Sequence, residues 1–208
     1  HPKIICGFSD NTSIINVIHE KTGLVTYHGP TFKSLTSWET GYAYKQFIKT
    51  FAENTESLIM GEPEDEYTTI QAGQATGELV GGNLSLFTKL VCGKYAVNLQ
   101  GKILFLEELG FEAAPEMVNS NIYYLKQNGV FDRIAGLWIG NYEHPSKISL
   151  EKIIKNAIGD EYKFSIIKSD NFGHIDKKII IPIGTKAEIN TNEKIKIKLV
   201  EKCVDEGK

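Results

Sequence analysis

The chain has 208 residues, of which 41% are hydrophobic and 24% charged, so it has enough apolar side chains for one large domain or two small ones. Its formal net charge is −3, whereas nucleic-acid-binding proteins typically have a strong excess of positive charge, so the composition does not indicate a protein of that class. Three widely spaced cysteines support neither a disulfide framework nor a zinc site, and no apolar run approaches the roughly 20 residues that cross a bilayer. We therefore expect a reduced, cytoplasmic protein.

The first predicted elements surround a serine. Residues 3–7 are predicted to form a strand, and residues 12–22 a helix that Gly23 ends. Between them lies the sequence Gly7-Phe8-Ser9-Asp10. A serine in a strand-to-helix turn can be exposed as a nucleophile at the end of a sheet, or it can simply cap the helix. The predicted inner side of the helix carries Ile14, Ile15, Val17 and Ile18.

The next elements are a strand over residues 24–28 and a helix over residues 37–52, in which aromatic residues recur from Trp38 at helical spacing. Residues 53–66 are polar and acidic, which predicts a crossing between two domains. Strands and helices alternate beyond it, and this predicts a mixed sheet covered by helices. The predicted strands are 68–72, 77–80, 102–106, 134–139, 162–168, 178–181, 185–189 and 194–200, and the helices are 84–91, 115–128 and 150–158.

Lysines cluster late in the chain. Lys177 and Lys178 are adjacent, and three further lysines alternate with isoleucine between positions 194 and 198. This pattern is typical of the solvent-exposed faces of strands, so we expect the side chains to be solvated rather than to bind a nucleic acid.

Two segments offer groups that could activate the serine. The apolar run 103–106 ends in Glu107 and Glu108, which the alternation of a strand places on opposite faces. The pattern alone does not decide which of the two carboxylates meets a cleft. His174 follows Gly173 in a loop, where it could be a general base or merely a histidine that faces water.

A glycine pair is predicted to form a turn before the helix at residue 84. Gly81 and Gly82 end a strand, and Asn83 is placed to cap the helix. The segment could be no more than a tight turn, but free amides and the positive end of a helix also suit an anion. The spacing of a dinucleotide-binding fingerprint is absent, and no pair of histidines has metal-ligand spacing.

Read together, these segments resemble the serine LD-carboxypeptidases, the family that includes the microcin-immunity peptidases. The resemblance implies that Ser9 is the nucleophile, Glu107 the orienting acid and His174 the general base, with the Asp10 amide in the oxyanion hole. The terminal carboxylate of a substrate would bind at Gly81, Gly82 and Asn83. The motifs that carry the resemblance are Gly7-Phe8-Ser9-Asp10, residues 21–30, residues 77–84 with Gly81-Gly82-Asn83-Leu84, residues 103–108, and Phe172-Gly173-His174 followed by residues 181–184.

The resemblance implies an α/β fold in which the remnant of a flavodoxin-like N-terminal domain, residues 1–60, precedes a swivelling β/β/α domain, residues 61–208. Members of the family carry further βα units before the serine, with a glycine-rich turn that supplies a second oxyanion amide. This chain begins at His1. We therefore expect it to be a fragment of a longer protein.

The implied reaction is hydrolysis of the amide between an L-residue and a terminal D-residue in murein peptides, or cleavage of a microcin-type peptide. It needs no metal and no organic cofactor. The expected partners are a peptide substrate and a second copy in a homodimer, without nucleic acid or membrane. The alternative is a non-catalytic half that serves in dimer contacts or peptide binding.

Overall fold

The computed structural model describes residues 3–37, 41–52 and 60–204. Its helices are α1 (Asn11–Thr22), α2 (Phe32–Ser37), α3 (Tyr42–Phe51), α4 (Leu84–Val91), α5 (Pro115–Gln127) and α6 (Leu150–Ile158). Its strands are β1 (Cys6–Gly7), β2 (Thr26–His28), β3 (Thr68–Gln71), β4 (Gln74–Asn83), β5 (Ile103–Glu107), β6 (Gly136–Ile139), β7 (Ser165–Lys168), β8 (Ile181–Ile183), β9 (Lys186–Asn190) and β10 (Ile197–Leu199).

The main sheet has seven strands in the order β10-β9-β4-β5-β6-β7-β3. Its four central strands, β4 to β7, are parallel, and antiparallel strands flank them on both sides. The carboxyl ends of the parallel strands therefore meet along one edge of the sheet, where binding and catalytic sites form in open α/β folds. The predicted mixed sheet is confirmed.

The two faces of β5 pack against different parts of the molecule. Leu104 and Leu106 join a core cluster with residues of α4, α5 and α6. Ile103 and Phe105 point the other way, into a cluster that contains Ile15 of α1 and residues of β8 and β9. Because side chains alternate along a strand, Glu107 lies on the second face, toward α1.

A small second sheet joins the serine segment to the later part of the chain. Its order is β1-β2-β8, with β1 parallel to β2 and β2 antiparallel to β8. Thr26 lies opposite Ile183, and His28 lies opposite Ile181. This ladder crosses the boundary expected between residues 60 and 61, and the division at that point stays a prediction.

Helix α1 differs from its predicted orientation. Ile15 is buried, but Ile14 is 55% exposed, so the expected inner position of Ile14 is wrong. The polar side chains of Thr12 and Asn16 are buried instead. They face β4, and the contacts they make there explain why polar residues occupy the inner face.

Asn16 takes the place of a neighbouring strand beside β4. Strand β9 pairs with β4 only as far as Glu78. Further along, the Asn16 side chain donates from Nδ2 to the Gly81 carbonyl at 2.8 Å and accepts from the Gly81 amide at 3.2 Å. Thr12 Oγ1 accepts from the Asn83 amide at 3.0 Å. The backbone groups of β4 that no strand pairs with on this side are thus satisfied by side chains of α1.

Replacing Asn16 by alanine is expected to lower the free energy of unfolding by about 2–4 kcal/mol, because it leaves the buried amide and carbonyl of Gly81 without partners. Urea denaturation measures the change. Lys21→Ala, at an exposed position of the same helix, is the control and should change stability by less than about 0.5 kcal/mol. Equal effects of the two substitutions would contradict the role given to Asn16.

The predicted helix over residues 37–52 is wrong as one element. The chain forms α2 and α3 instead, and Gly41, with φ of 63°, precedes α3. A glycine adopts this left-handed conformation without steric cost, and α3 begins directly after it. Trp38, and residues 53–59 of the predicted domain crossing, lie outside the described residues.

Candidate active site

Ser9 lies in a tight turn between β1 and α1. Its φ of 58° falls in the left-handed region, which costs a non-glycine residue about 1–3 kcal/mol and needs support from its surroundings. The Asn11 amide donates to the Phe8 carbonyl at 3.2 Å, and the Thr12 amide donates to the Ser9 carbonyl at 2.9 Å. A Cβ at Gly7 would lie 2.9 Å from the Asn11 side chain. The predicted turn and helix around Ser9 are confirmed, and the strand predicted over residues 3–7 is limited to Cys6–Gly7.

Glu107 and His174 form a hydrogen-bonded pair at the carboxyl end of β5, in which Glu107 is buried and His174 is partly exposed. His174 Nδ1 donates to Glu107 Oε2 at 2.8 Å, and the side-chain exposures are 14% and 0%. A Cβ at Gly173, whose φ is 121°, would lie 3.1 Å from that carboxylate oxygen, so glycine allows the loop to approach. With Nδ1 bound to the carboxylate, Nε2 is the nitrogen that can accept a proton.

Phe8 connects the serine turn with this pair. Its ring meets the His174 ring edge-on, with 5.1 Å between the ring centroids. Ser9 is the next residue, and consecutive Cα atoms are about 3.8 Å apart. The structure therefore brings the segments of all three predicted triad residues together, from β1, β5 and the loop after β7.

Glu108 has a different set of partners, on the other side of β5. Its carboxylate accepts hydrogen bonds from Asn83 Nδ2 at 2.7 Å, from the Ser85 amide at 3.0 Å, from the Ser85 hydroxyl and from the Leu109 amide at 2.8 Å. These bonds hold the amino end of α4. The geometry therefore favours Glu107 over Glu108 as the carboxylate that orients His174.

The expected glycine turn before α4 is wrong. Strand β4 continues through Gly81 and Gly82 as far as Asn83, and α4 follows at once. The extended glycines lie close to neighbouring segments, since a Cβ at Gly82 would be 2.6 Å from Thr12 Oγ1. The predicted capping role of Asn83 is confirmed, because its side chain accepts from the Leu86 amide at 3.2 Å.

Three of the amides near this helix terminus already have partners within the chain. Those of Gly81 and Asn83 donate to side chains of α1, and that of Ser85 donates to the carboxylate of Glu108. The anion that the helix terminus attracts is thus a carboxylate of the protein itself. Binding of a substrate carboxylate at Gly81, Gly82 and Asn83 stays a prediction.

Asp10 keeps the feature that an oxyanion donor needs. The residue is exposed, and within the described ranges 3–37, 41–52 and 60–204 no backbone carbonyl accepts from its amide. The amides of Asn11 and Thr12, by contrast, are used inside the turn. An amide directly after the nucleophile is one of the donors expected at a turn of this kind.

Two further groups near the serine turn are neutral. Burial raises the pKa of the Cys6 thiol to about 12, so Cys6 stays protonated and is no second nucleophile. Burial, and to a smaller extent the charges of Lys178 and His174, lower the pKa of His28 to about 3. The His28 ring is 1% exposed and packs against the ring of Phe105, so it is an uncharged part of the core.

Lys178 is the residue near the site that the sequence analysis places wrongly. The sequence pattern predicts that Lys178 lies on a solvent-exposed face of a strand. In the structure it is 1% exposed, and its Nζ lies 3.4 Å from the centroid of the Phe8 ring. The physical reason is that β8 begins only at Ile181, so the alternation of a strand does not apply at Lys178. Lys177 is exposed as predicted. The one signal of burial in the sequence is the apolar run that follows Lys178 directly.

The described residues contain no cluster of three histidine, cysteine, aspartate or glutamate side chains that could hold a metal ion. In the same part of the chain, no helix has the length and apolar character of a membrane span. A cavity of about 790 Å³ lies at the amino ends of β4 and β5, lined among others by Gly77 and Lys102. It is therefore at the end of the sheet opposite to Glu107.

Comparison with known families identifies the chain. Residues 76–189 match the LD-carboxypeptidase C-terminal domain, and residues 1–29 match the LD-carboxypeptidase N-terminal domain. The first of these matches covers more than half of the chain. The protein therefore belongs to the LD-carboxypeptidase family, and the resemblance described above is confirmed.

Two individual relatives support the assignment to this family. A protein of Bacillus subtilis named "probable murein peptide carboxypeptidase" is 34% identical over all of this chain and 65% of its own length. The microcin C7 self-immunity protein MccF of Escherichia coli is 26% identical, over 93% of this chain and 64% of its own. The chain thus spans slightly less than two thirds of these relatives.

A solved structure supports the fold. The MccF-like protein from Bacillus anthracis is 29% identical and superposes with a TM-score of 0.81, over 95% of this chain and 68% of that one. The predicted α/β class with a mixed sheet is confirmed.

Proposed function

We propose that the protein is a serine carboxypeptidase that hydrolyses the amide between an L-residue and a terminal D-residue in murein peptides. The hydrogen bond between His174 and the buried Glu107 carboxylate, beside the turn that carries Ser9, is the observation on which this proposal depends. The B. subtilis relative, named a murein peptide carboxypeptidase, supports the substrate class.

In the proposed reaction, the Ser9 hydroxyl attacks the carbonyl carbon of the scissile amide and passes its proton to His174 Nε2. Glu107 holds the imidazole through Nδ1 and stabilises the positive charge that forms on the ring. The Asp10 amide donates to the oxyanion. When the C–N bond breaks, His174 returns the proton to the departing amino group of the D-residue.

The second half of the proposed reaction uses the same groups. A water molecule gives a proton to His174 and attacks the acyl ester on Ser9. The tetrahedral intermediate then collapses, the proton returns to the Ser9 oxygen, and the peptide leaves with a new terminal carboxylate. No step needs a metal ion or an organic cofactor.

Cleavage of a microcin-type peptide is the second candidate. The similarity to the microcin C7 self-immunity protein favours it. Both candidates use a serine acyl enzyme and differ in the group that the site accepts on either side of the scissile amide. Parallel assays with an LD-tetrapeptide and with microcin C7 separate them.

The test uses protein expressed from the complete gene, because the 208-residue chain spans only part of its relatives. An LD-tetrapeptide is incubated with the protein, and mass spectrometry follows the loss of its terminal D-residue. The matched control is the LL-diastereomer, which should remain intact. If the LD-tetrapeptide also remains intact while a fluorophosphonate labels Ser9, the proposed substrate class is wrong.

A non-catalytic role for the chain is the alternative from a different class. It predicts that Ser9 in the protein from the complete gene does not react with a fluorophosphonate, whereas the proposed function predicts a covalent adduct on that residue. We further propose a homodimer in the cytoplasm. Light scattering after size-exclusion chromatography tests the first point, and cell fractionation tests the second.

A further inference from the structure

Lys178 is a buried lysine that the proposed mechanism does not use. The whole residue is 1% exposed, and it is four positions beyond His174 in the chain. Its Nζ lies 3.4 Å from the centroid of the Phe8 ring, within the range of a cation–π interaction. An ammonium group is rarely buried without a compensating role, because its desolvation is costly.

Phe8 is held from two sides. Lys178 Nζ lies over the ring, and the ring of His174 meets Phe8 edge-on at 5.1 Å between centroids. Phe8 directly precedes Ser9, whose left-handed backbone needs support from its surroundings. Lys178 therefore contacts the residue that connects the serine turn to the histidine.

The charge of Lys178 also complements the triad carboxylate. Glu107 is fully buried, and among the described residues its Oε1 has no hydrogen-bond partner in the protein, while Oε2 binds His174. A buried carboxylate of this kind is stabilised by a nearby cation. The negative charges of Glu107 and Asp176 favour the protonated form of Lys178. Two other titratable groups are close: the Cys6 thiol, which would favour that form only as a thiolate, and the fully buried His28.

We propose that Lys178 is a positioning residue for the triad: its ammonium group holds Phe8, and with it the Ser9 turn, against His174, and balances the carboxylate charge of Glu107. This inference rests on the proposed function, because it assigns Lys178 to the same site. The residue acts through Phe8 and Glu107 and is not expected to touch the substrate.

The main test is Lys178→Met in protein expressed from the complete gene, because methionine has a similar length and no charge. The rates are measured at pH 6, below the lowered pKa of about 7, where Lys178 carries its proton. We expect the rate constant for fluorophosphonate labelling of Ser9, and kcat for the LD-tetrapeptide, to fall by about 10- to 100-fold, with KM changed by less than about twofold. Lys177→Met is the matched control, since Lys177 is the exposed neighbour. It should leave both rates unchanged.

Although Lys178→Met should lower both rates, it should leave the stability of the fold unchanged or raise it. Burial is the main reason that the pKa of Lys178 falls from 10.5 to about 7, so the folded protein carries an unfavourable buried charge at and below neutral pH. We expect Lys178→Met to melt at the same or a higher temperature at pH 6. A residue that served the fold alone would give lower stability and an unchanged rate per folded molecule.

The pH dependence of this difference has a defined sign. Between pH 7 and pH 10.5 the unfolded lysine holds a proton that the folded one has lost, so the stability of the wild type rises with pH relative to Lys178→Met. The melting temperature of the wild type should therefore rise relative to that of Lys178→Met over this window. A constant difference would show that the folded lysine keeps its proton up to pH 10.5, and would overturn the assignment of an unfavourable buried charge at Lys178.

A double-mutant cycle tests the contact with Phe8. Phe8→Leu removes the ring below the ammonium group, and if Lys178 acts through that ring, the two substitutions should be less than additive in the labelling rate. Full additivity would overturn this part of the inference.

The inference and the proposed function can fail separately. If Lys178→Met labels and cleaves like the wild type, the inference is overturned and the proposed function stands. If the wild type labels but cleaves no LD-tetrapeptide, the substrate class is wrong, and slower labelling of Lys178→Met still supports the inference. A wild type that is not labelled at Ser9 overturns both.

Discussion

Replacing Ser9 or His174 by alanine is expected to lower the turnover of an LD-tetrapeptide by about 10⁵- to 10⁶-fold, and Glu107→Ala by about 10⁴-fold. Without Ser9 there is no nucleophile, and without His174 its proton has no acceptor. Glu107 acts through the 2.8 Å hydrogen bond that fixes the imidazole, so its loss leaves a base with the wrong orientation or tautomer. Release of the terminal D-residue, followed by mass spectrometry, measures the effects.

The three residues should behave as one unit. A double variant of Ser9 and His174 is expected to lose little more than the worse single variant, because each single change already prevents formation of the acyl enzyme. Melting temperatures of the variants control for folding. Independent, multiplicative losses would contradict a shared step.

Glu108→Ala should act mainly on stability, in contrast to Glu107→Ala. Four donors bind the Glu108 carboxylate, from Asn83, Ser85 and Leu109, and each buried donor left unpaired costs about 1–3 kcal/mol. Thermal denaturation should therefore show a large loss for Glu108→Ala. If Glu107→Ala keeps near-wild-type turnover while folded Glu108→Ala does not, the roles of the two carboxylates are exchanged.

Local patterns predicted much of the fold. Helices α4 and α6 begin and end where the apolar periodicity places them, and Asn83 caps α4 as its side chain and position indicate. The turn at Ser9 follows from a short strand, a glycine and a helix. Each of these features depends on residues close together in the chain, so the sequence contains the necessary information.

The features that the sequence did not predict depend on contacts between distant segments. The choice between Glu107 and Glu108 depends on which face of β5 meets α1, and α1 is about 90 positions away in the chain. Asn16 is polar on an inner helix face because β4 lacks a partner strand beside it. Lys178 is buried because the loop after β7 passes over Phe8. No local pattern of alternation or periodicity encodes these contacts.

Gly81→Ala is expected to have the largest effect on stability, a loss of more than about 4 kcal/mol that leaves little folded protein. A Cβ at Gly81 would lie 1.9 Å from the carbonyl oxygen of Phe105 in β5, and the φ of 142° is itself unfavourable for any residue with a side chain. Backbone atoms form the obstacle, so no side chain can rotate away. Relief would require β4 and β5 to separate beside Glu107.

Gly101→Ala separates the two causes of this loss. Gly101 has a φ of 69°, but nothing lies within 4 Å of the position of its Cβ, so the substitution adds backbone strain without a clash. It should cost about 1–2 kcal/mol, as expected for a non-glycine residue in the left-handed region. Urea denaturation of both variants provides the comparison. If Gly81→Ala lost no more than Gly101→Ala, the close approach of β4 to β5 would not be the reason for glycine at position 81.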